Sequence, residues 1–241
     1  MGKVGRALNG PNVLSATSSP ICGFIAHVER SLRSDTFFLN MEPDATATPV
    51  PAHVSAIDFA LMERVGAGDH AAFRHLVERH QHAVVGTVAK MLGNSSEAED
   101  IAQQVFLRIW RNAKRYRPDA KFTTYLFTIT RNLVFNETRR RSRKKEFSLD
   151  EREESANLSI EGDPARQPDA ELLQAELQRA VDDAIASLPE TQRMAVVLRR
   201  YEQLSYEEIA EVLELSVSAV KSLLFRARSA LREALAGYLA D

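Results

Sequence analysis

Apolar residues recur with helical spacing over most of the chain, and this feature limits the possible folds more than any other. Ile57, Leu61 and Val65 share one face of a first helix, and similar spacing returns in the last third of the sequence. Ser96 and Glu99 have the spacing of a capping box, which predicts another helix start. No strand-like alternation of useful length is present. The sequence therefore predicts an all-α protein.

Composition divides the chain into two small helical domains joined by an acidic, flexible linker. Residues 1–54 are rich in Ser, Pro, Thr, Ala and Gly without periodicity, which predicts a disordered or variable extension. Helical patterning covers residues 55–145 and 171–241. Residues 146–170 contain eight acidic residues, two basic residues and two prolines, a composition typical of a solvated linker. We expect proteases to cut there first.

The strongest charge signal lies in the second half of the first helical domain. From Val105 to Lys145 there are 13 basic residues against two acidic ones, a net charge of +11 in a chain whose total is −2. A folded helix pair this basic attracts a polyanion over a Debye length of about 8–10 Å. Interleaved aromatic rings suit the stacking of unpaired bases, although each ring could equally be a core residue. These rings are Tyr116, Phe122, Tyr125, Phe127 and Phe135.

The second domain has the spacing of a helix-turn-helix. Ser205 begins a capping box with Glu208, and Ser216 is placed to cap the following helix. Burial of Val220 and Leu224 in that helix turns short polar and basic side chains outward. Such side chains at the start of an exposed helix suit major-groove edges and phosphates. The pattern favours DNA binding over the alternative, an ordinary helical hairpin with a solvated basic face.

Other kinds of site are excluded or disfavoured. The sole cysteine, Cys22, excludes an internal disulfide and a multi-cysteine metal site, and it fits a reducing cytoplasm. No acidic partner follows the histidines at metalloprotease spacing, so we interpret them as solvated rather than as metal ligands. They are His70, His75, His80 and His82. No apolar run reaches the roughly 18–20 residues of a membrane span. We therefore predict no catalytic residue, no metal and no cofactor.

Three ordered blocks of sequence carry a further signal. The first is Glu97–Trp110, the second is Phe122–Asn132 followed by Arg139–Arg141, and the third is Leu188–Glu190 with Ser205–Arg228. Together they resemble the extracytoplasmic-function (ECF) group of bacterial sigma factors. The first block is similar to the family's core-polymerase-binding helix, and the second to its segment that melts and reads the −10 element. The third is similar to region 4, which reads the −35 element.

The resemblance implies a sigma factor that binds core RNA polymerase, directs it to specific promoters and assists promoter melting. Residues 55–145 would be sigma region 2 and residues 171–241 sigma region 4, and the chain itself would make or break no bond. The implied partners are core RNA polymerase and promoter DNA in the cytoplasm, with an anti-sigma factor left open. A simple helix-turn-helix regulator is the rival interpretation, but it leaves the +11 segment without a use.

The resemblance also implies roles for individual residues. Core polymerase would be contacted by Asp100, Gln103, Gln104, Phe106 and Arg108. The −10 element would be bound by Lys121, Phe122, Thr123, Tyr125, Arg131, Asn132, Arg139 and Arg140. The −35 element would be bound by Ser218, Lys221, Ser222, Arg226 and Arg228.

Five positions depart from the family pattern. Gln104 stands where an acid is common, Tyr125 replaces a Trp, and Asn136 replaces an Asp. Leu223 stands where Arg is frequent, which removes a phosphate contact. Glu214 occupies the turn of the helix-turn-helix, where Gly tolerates the left-handed conformation better. Because of these departures, a promoter sequence should not be copied from relatives.

Overall fold

The computed structural model describes residues 52–117, 119–147 and 168–239, and regular secondary structure in these ranges is helical throughout. In chain order the helices are α1 Ala52–Gly66, α2 His70–Leu92, α3 Ser95–Asn112, α4 Phe122–Phe147, α5 Pro168–Ser187, α6 Glu190–Arg200, α7 Tyr206–Leu213, α8 Val217–Ala234 and α9 Ala236–Leu239. A short 3-10 turn, Ala113–Arg115, follows α3. In these ranges no helix has the length and apolar character required to cross a membrane. The predicted all-α class is confirmed.

The predicted extension and linker fall mostly outside the described residues. The described ranges leave out residues 1–51, which include Cys22, and residues 148–167. α1 begins at Ala52, inside the segment predicted as the N-terminal extension. α5 begins at Pro168, inside the segment predicted as linker. Proline is tolerated in the first turn of a helix, where its missing N–H has no partner to lose.

The first unit is a bundle of α1 to α4 around a shared apolar core. α2 packs against α1 and α3, and α3 packs against α4. The largest buried side chains come from all four helices and are at most 1% exposed: Met62, Leu76, Ile109 and Leu126. Full burial of such a side chain contributes about 1.5–3 kcal/mol, so this core holds the outward faces of α3 and α4 in fixed positions.

The turn between α2 and α3 corrects one sequence prediction. α3 begins at Ser95, and Asn94 Oδ1 accepts a hydrogen bond from the Ser96 amide at 3.0 Å, so the predicted capping box at Ser96 is wrong. Asn is as good an N-cap as Ser. Gly93 ends α2 in the left-handed conformation, φ 69°. This sharp ending leaves Asn94 as the residue at which the next helix starts.

The second unit comprises α5 to α9. α8 packs against α6 and α7, and α5 lies against α6 and α8. Its core includes Leu198, Ile209, Leu224 and Leu231, all at most 1% exposed. The two units also contact each other, α4 with α7 and α2 with α5 and α6.

Candidate polymerase and nucleic-acid interfaces

α3 carries a polar stripe on its solvent side. Asp100, Gln103, Gln104 and Arg108 are all exposed, and the helical repeat puts them on one side of the helix. Leu107 lies within this stripe and is 48% exposed. An exposed apolar side chain surrounded by polar ones has the composition of a protein-binding surface, with an apolar centre and a polar rim.

Phe106 lies apart from this stripe. It is 6% exposed and belongs to the apolar core, as do Val105 and Ile109. The structure therefore places Phe106 inside and its neighbour Leu107 outside, although Phe106 was among the five residues predicted to contact polymerase and Leu107 was not. The helix phase fixed by Val105 and Ile109 was the signal that could have identified Leu107.

Aromatic rings cluster where the loop after α3 enters α4. The Tyr116 ring centroid lies 5.1 Å from that of Tyr125, and the Phe122 centroid lies 5.1 Å from the ring of His80. Phe122 is 2% exposed, whereas Tyr125 is half-buried, and burial raises the pKa of the Tyr125 hydroxyl. Phe127 is a core residue. Tyr116 and Tyr125 thus remain partly exposed, and the buried Phe122 ring lies against both of them.

A buried carboxylate fixes this cluster. Asp58 on α1 is 2% exposed, and its Oδ1 accepts a hydrogen bond from Arg79 Nε at 2.9 Å and lies 3.1 Å from His80 Nε2. Burial opposes ionisation of this carboxyl, but the contacts with His80 and Arg79 outweigh it and hold the pKa of Asp58 below its ordinary value. Because His80 packs on Phe122, the network ties α1 and α2 to the start of α4.

The histidines do not share one environment. His80 is buried against Asp58, so its interpretation as a solvated side chain is wrong. His70 stacks on Trp110 with ring centroids 4.7 Å apart. His75 and His82 are exposed. Within the described ranges, no three His, Cys, Asp or Glu side chains come together in a way that could hold a metal ion.

Three of the α4 side chains predicted to bind the −10 element are exposed along the helix. They are Asn132, Arg139 and Arg140, and Arg140 Nη2 lies 2.7 Å from Glu137 Oε1. Arg131 differs, because its side chain is only 10% exposed and forms an ion pair with Glu214 of the second unit.

The loop preceding α4 also contacts the second unit. Lys121 Nζ lies 2.9 Å from Glu208 Oε1, again across the two units, and Thr123 is half-buried. The residues predicted to bind the −10 element are therefore brought together on one helix and its entry loop. Part of that set is covered by α7.

The helix-turn-helix has the predicted caps. Ser205 Oγ accepts a hydrogen bond from the Glu208 amide at 3.2 Å, and Glu208 Oε2 accepts one from the Ser205 amide at 2.8 Å. Ser216 Oγ accepts one from the Ala219 amide at 3.2 Å. Val220 is 0% exposed and Leu224 is 1% exposed, so the predicted phase of α8 is confirmed.

This phase exposes the predicted DNA-reading side chains. Ser218, Lys221, Ser222 and Arg226 are all exposed on α8, and Arg228 is half-buried. Phe225 lies beside them and is 66% exposed. The sequence placed it on the same helix as these side chains, but it was not among the residues predicted to bind the −35 element.

The chain matches the sequence profiles of two successive parts of one class of protein. Residues 76–144 match Sigma-70 region 2, and residues 178–231 match Sigma-70, region 4. The first match covers α3 and nearly all of α4, and the second covers the helix-turn-helix.

Curated relatives extend the similarity over both units. The RNA polymerase sigma-H factor of Pseudomonas aeruginosa is 38% identical over 182 residues, which cover 74% of this chain and 93% of the relative. The ECF RNA polymerase sigma-E factor of Escherichia coli is 36% identical over 176 residues, 72% of this chain and 92% of the relative.

Solved structures give the same result. CnrH, solved in complex with the cytosolic domain of CnrY, is 25% identical with a TM-score of 0.56, covering 75% of this chain and 98% of CnrH. The sigma factor RpoE of Bartonella quintana, solved with the anti-sigma factor NepR, is 25% identical with a TM-score of 0.55. That match covers 68% of this chain and 96% of RpoE.

A helix-turn-helix unit and a basic, aromatic-bearing helical unit in one chain define a bacterial sigma factor, and its function is promoter-specific transcription initiation with RNA polymerase. More narrowly, the chain belongs to the ECF family of sigma factors.

Proposed function

We propose that this sigma factor docks on core RNA polymerase through the exposed stripe of α3. The polar contacts come from Asp100, Gln103, Gln104 and Arg108, all exposed on one side of the helix. Leu107 supplies the apolar centre of the surface. Phe106 supports the helix from the core side, and its contribution to binding is indirect.

The −10 element is bound by α4 and its entry loop. Tyr125 supplies a stacking face for an unpaired base, and base–aromatic stacking contributes about 1–3 kcal/mol per base. Phe122 packs beneath it at a centroid distance of 6.4 Å. The remaining residues of this set hold the backbone of the melted strand: Lys121, Thr123, Arg131, Asn132, Arg139 and Arg140.

The −35 element is read by the start of α8. Ser218, Lys221 and Ser222 reach the major groove, while Arg226 and Arg228 hold phosphates further along the helix. The boundaries proposed for these functions are region 2 at residues 55–145 and region 4 at residues 171–241.

The chain acts through binding energy and not as an enzyme. Strand opening requires that unpaired bases be bound more tightly than paired ones, and stacking on Tyr125 is available only to unpaired bases. No bond is made or broken by the protein. Its place of action is the cytoplasm, where promoter DNA and core polymerase meet. Its activity is controlled by an anti-sigma factor, a proposal supported by the similar sigma factor RpoE of Bartonella quintana, which was solved in complex with the anti-sigma factor NepR.

The observation that carries this proposal is the presence of three sets of exposed side chains on one chain: the α3 stripe, Arg139 and Arg140 of α4, and the start of α8. A simple DNA-binding regulator needs only the last of them. The test is co-purification with core RNA polymerase, followed by transcription from a promoter selected by the reconstituted holoenzyme.

Charge reversal supplies the matched variants for this test. Asp100→Arg lies in the α3 stripe and should reduce polymerase binding at least tenfold, since a buried interface charge left unpaired costs about 2–5 kcal/mol. Glu78→Arg is exposed on α2, makes the same charge change and should bind as the unaltered protein does. Equal binding by both variants would place the polymerase surface elsewhere.

A further inference from the structure

We propose that Arg141 is a positioning residue for −10 DNA, because it ties the basic end of α4 to the turn where α3 begins and so holds Arg140 in place. This role rests on the proposed contact of Arg139 and Arg140 with the backbone of the melted strand. The three arginines follow one another in the sequence, but their environments differ. Arg139 and Arg140 are exposed, whereas Arg141 is half-buried.

The basic end of α4 extends beyond the apolar core of the first unit. Val134 is fully buried and Phe135 packs against the core, but none of the side chains at 136–144 is buried. Apolar burial therefore fixes only the first half of α4. The second half depends on polar contacts for a defined direction, since a helix segment with few buried contacts opens locally.

Arg141 supplies such a contact to two other helices. Its Nη1 donates a hydrogen bond to the Leu92 carbonyl at 2.9 Å, and its Nη2 forms an ion pair with Glu97. Leu92 is the last residue of α2, where carbonyl groups have no partner within the helix, and Glu97 lies in the first turn of α3. One guanidinium thus joins α4 to the end of α2 and the start of α3.

Glu137 links this anchor to Arg140. The Glu137 side chain is 13% exposed, and Arg140 donates to it from Nε at 2.8 Å and from Nη2 at 2.7 Å. A contact at two points fixes the plane of a guanidinium. Arg141 Nε lies 3.5 Å from the same carboxylate. Arginine carries more N–H groups than the pair with Glu137 uses, so Arg140 keeps donors for a phosphate.

Charge and position predict opposite effects at Glu97. If Arg141 acts by its charge alone, removing the Glu97 carboxylate should tighten DNA binding, because that carboxylate repels a polyanion. If Arg141 acts by position, the same removal should weaken DNA binding, because the tie to α3 is lost. Partly exposed ion pairs contribute little to stability, so we expect the effect in DNA binding and not in global unfolding.

The experiment measures binding of the full-length protein to a fluorescent single-stranded DNA oligonucleotide of mixed sequence, by anisotropy at several salt concentrations. Glu97→Gln should bind about three- to tenfold more weakly than the unaltered protein, the range expected for loss of one charge-assisted contact. Glu99→Gln removes the same charge from an exposed position two residues further along α3 and should bind at least as tightly as the unaltered protein.

Arg141→Lys separates charge from geometry. It keeps the charge, but an ammonium group cannot reproduce the planar fork that reaches Leu92 and Glu97 together. Arg141→Lys should therefore weaken binding as Glu97→Gln does, and the double variant should bind no more weakly than either single variant, since both changes remove one tie. Arg143→Lys makes the same change at an exposed position of α4 and should bind as the unaltered protein does.

The salt dependence distinguishes positioning from a direct phosphate contact. The slope of log K against log salt should fall by about 0.7 in Arg140→Gln, because one phosphate contact is lost. Arg141→Gln should weaken binding and leave that slope unchanged. Hydrogen exchange in Arg141→Lys should be faster at 136–144 and unaltered at 124–134, which would show a local change in a folded unit.

Each outcome decides between the claims. Tighter binding by Glu97→Gln, unaltered binding by Arg141→Lys, a reduced salt slope in Arg141→Gln or faster exchange throughout the first unit overturns the positioning role of Arg141. Unaltered binding by Arg140→Gln instead overturns the proposed −10 contact on which that role rests. Polymerase co-purification is independent of these results, so the sigma-factor function is tested separately.

Discussion

The two proposed DNA-binding faces of this protein differ in how exposed they are. On the second unit, Ser218, Lys221 and Ser222 of α8 are exposed. On the first unit, Arg131 is covered by Glu214. The structure therefore leaves the proposed −35 residues exposed and covers one of the proposed −10 residues.

The largest expected effect is on the stability of the first unit. It would show that the units carrying the two proposed faces are stabilised separately. Asp58→Ala removes the carboxylate shared by Arg79 and His80. Because Arg79 and the buried His80 ring lose the carboxylate that they both contact, we expect the first unit to lose about 3 kcal/mol of its free energy of unfolding. Chemical denaturation followed by the fluorescence of Trp110, the sole tryptophan and a residue of this unit, measures it.

Glu63→Gln is the control for this change, since Glu63 is exposed on the same helix. It should alter the unfolding free energy by less than about 0.5 kcal/mol. An Asp58→Ala protein as stable as the control would mean that the Asp58 network does not support the aromatic cluster.

Local features of the sequence predicted local features of the structure well. The capping box at Ser205, the cap at Ser216 and the burial of Val220 each depend on residues within about one turn of helix. The cap of α3 was misplaced because Asn94 and Ser96 are both acceptable caps, and only the conformation of Gly93 decides between them.

Contacts between distant parts of the chain could not be predicted in this way. Arg131 and Glu214 are 83 residues apart, and no periodicity or cap motif links them. The burial of His80 also depends on another helix, since its partner Asp58 lies on α1. The sequence identified Glu214 as a departure from the expected glycine, and only the packing of α7 on α4 supplied a reason.

The second expected effect distinguishes melting by the first unit from duplex binding by the second. Tyr125→Ala removes a half-buried ring that contacts Tyr116 at a centroid distance of 5.1 Å. Because stacking is available only to unpaired bases, we expect open-complex formation to weaken by about 1–3 kcal/mol, with duplex binding little changed. Permanganate footprinting reports the first step and filter binding the second.

Tyr125→Phe keeps the ring and serves as the matched variant. It should melt promoters nearly as well as the unaltered protein. Equal loss of melting and duplex binding by Tyr125→Ala, together with a reduced helical circular dichroism signal, would assign Tyr125 to core packing.

The third expected effect is a pH dependence of the contact between the two units. Glu202 Oε1 accepts a hydrogen bond from Thr87 Oγ1 at 3.0 Å across the units, and burial raises the pKa of Glu202 to about 7, against the opposing effects of Thr87 and Lys90. Asp182 and Tyr201 are the other titratable groups beside Lys90. Since the pKa of Glu202 is raised where the two units are in contact, forming this contact takes up a proton.

The contact between the units is therefore favoured most at low pH and loses this advantage as pH rises through about 7. Exposed to water, Glu202 would return to an ordinary pKa of about 4.3. The equilibrium constant for separating the two units should then rise up to about tenfold between about pH 6 and pH 8. Pulsed EPR distances between spin labels at Glu63→Cys and Glu233→Cys, both exposed, in a Cys22→Ser background measure it, and Glu202→Gln should remove most of the change. Separation of the units that increases toward acidic pH would contradict this prediction.

The smallest expected effect tests the exposed face alone. Ser218 and Ser222 lie at the start of α8, where a recognition helix contacts base edges, so their substitution should change which −35 sequence is preferred. Arg226 lies one turn later and donates from Nε to the Ser222 carbonyl at 3.3 Å. Arg226→Ala should weaken all −35 sequences about equally and lower the salt slope by about one unit, because phosphate contacts position the protein without specifying sequence. Binding to a library of −35 sequences at two salt concentrations separates the two kinds of residue. A change of sequence preference in Arg226→Ala, with none in the serine variants, would contradict this assignment. It would mean that the later turns of α8, and not its first turn, contact the base edges.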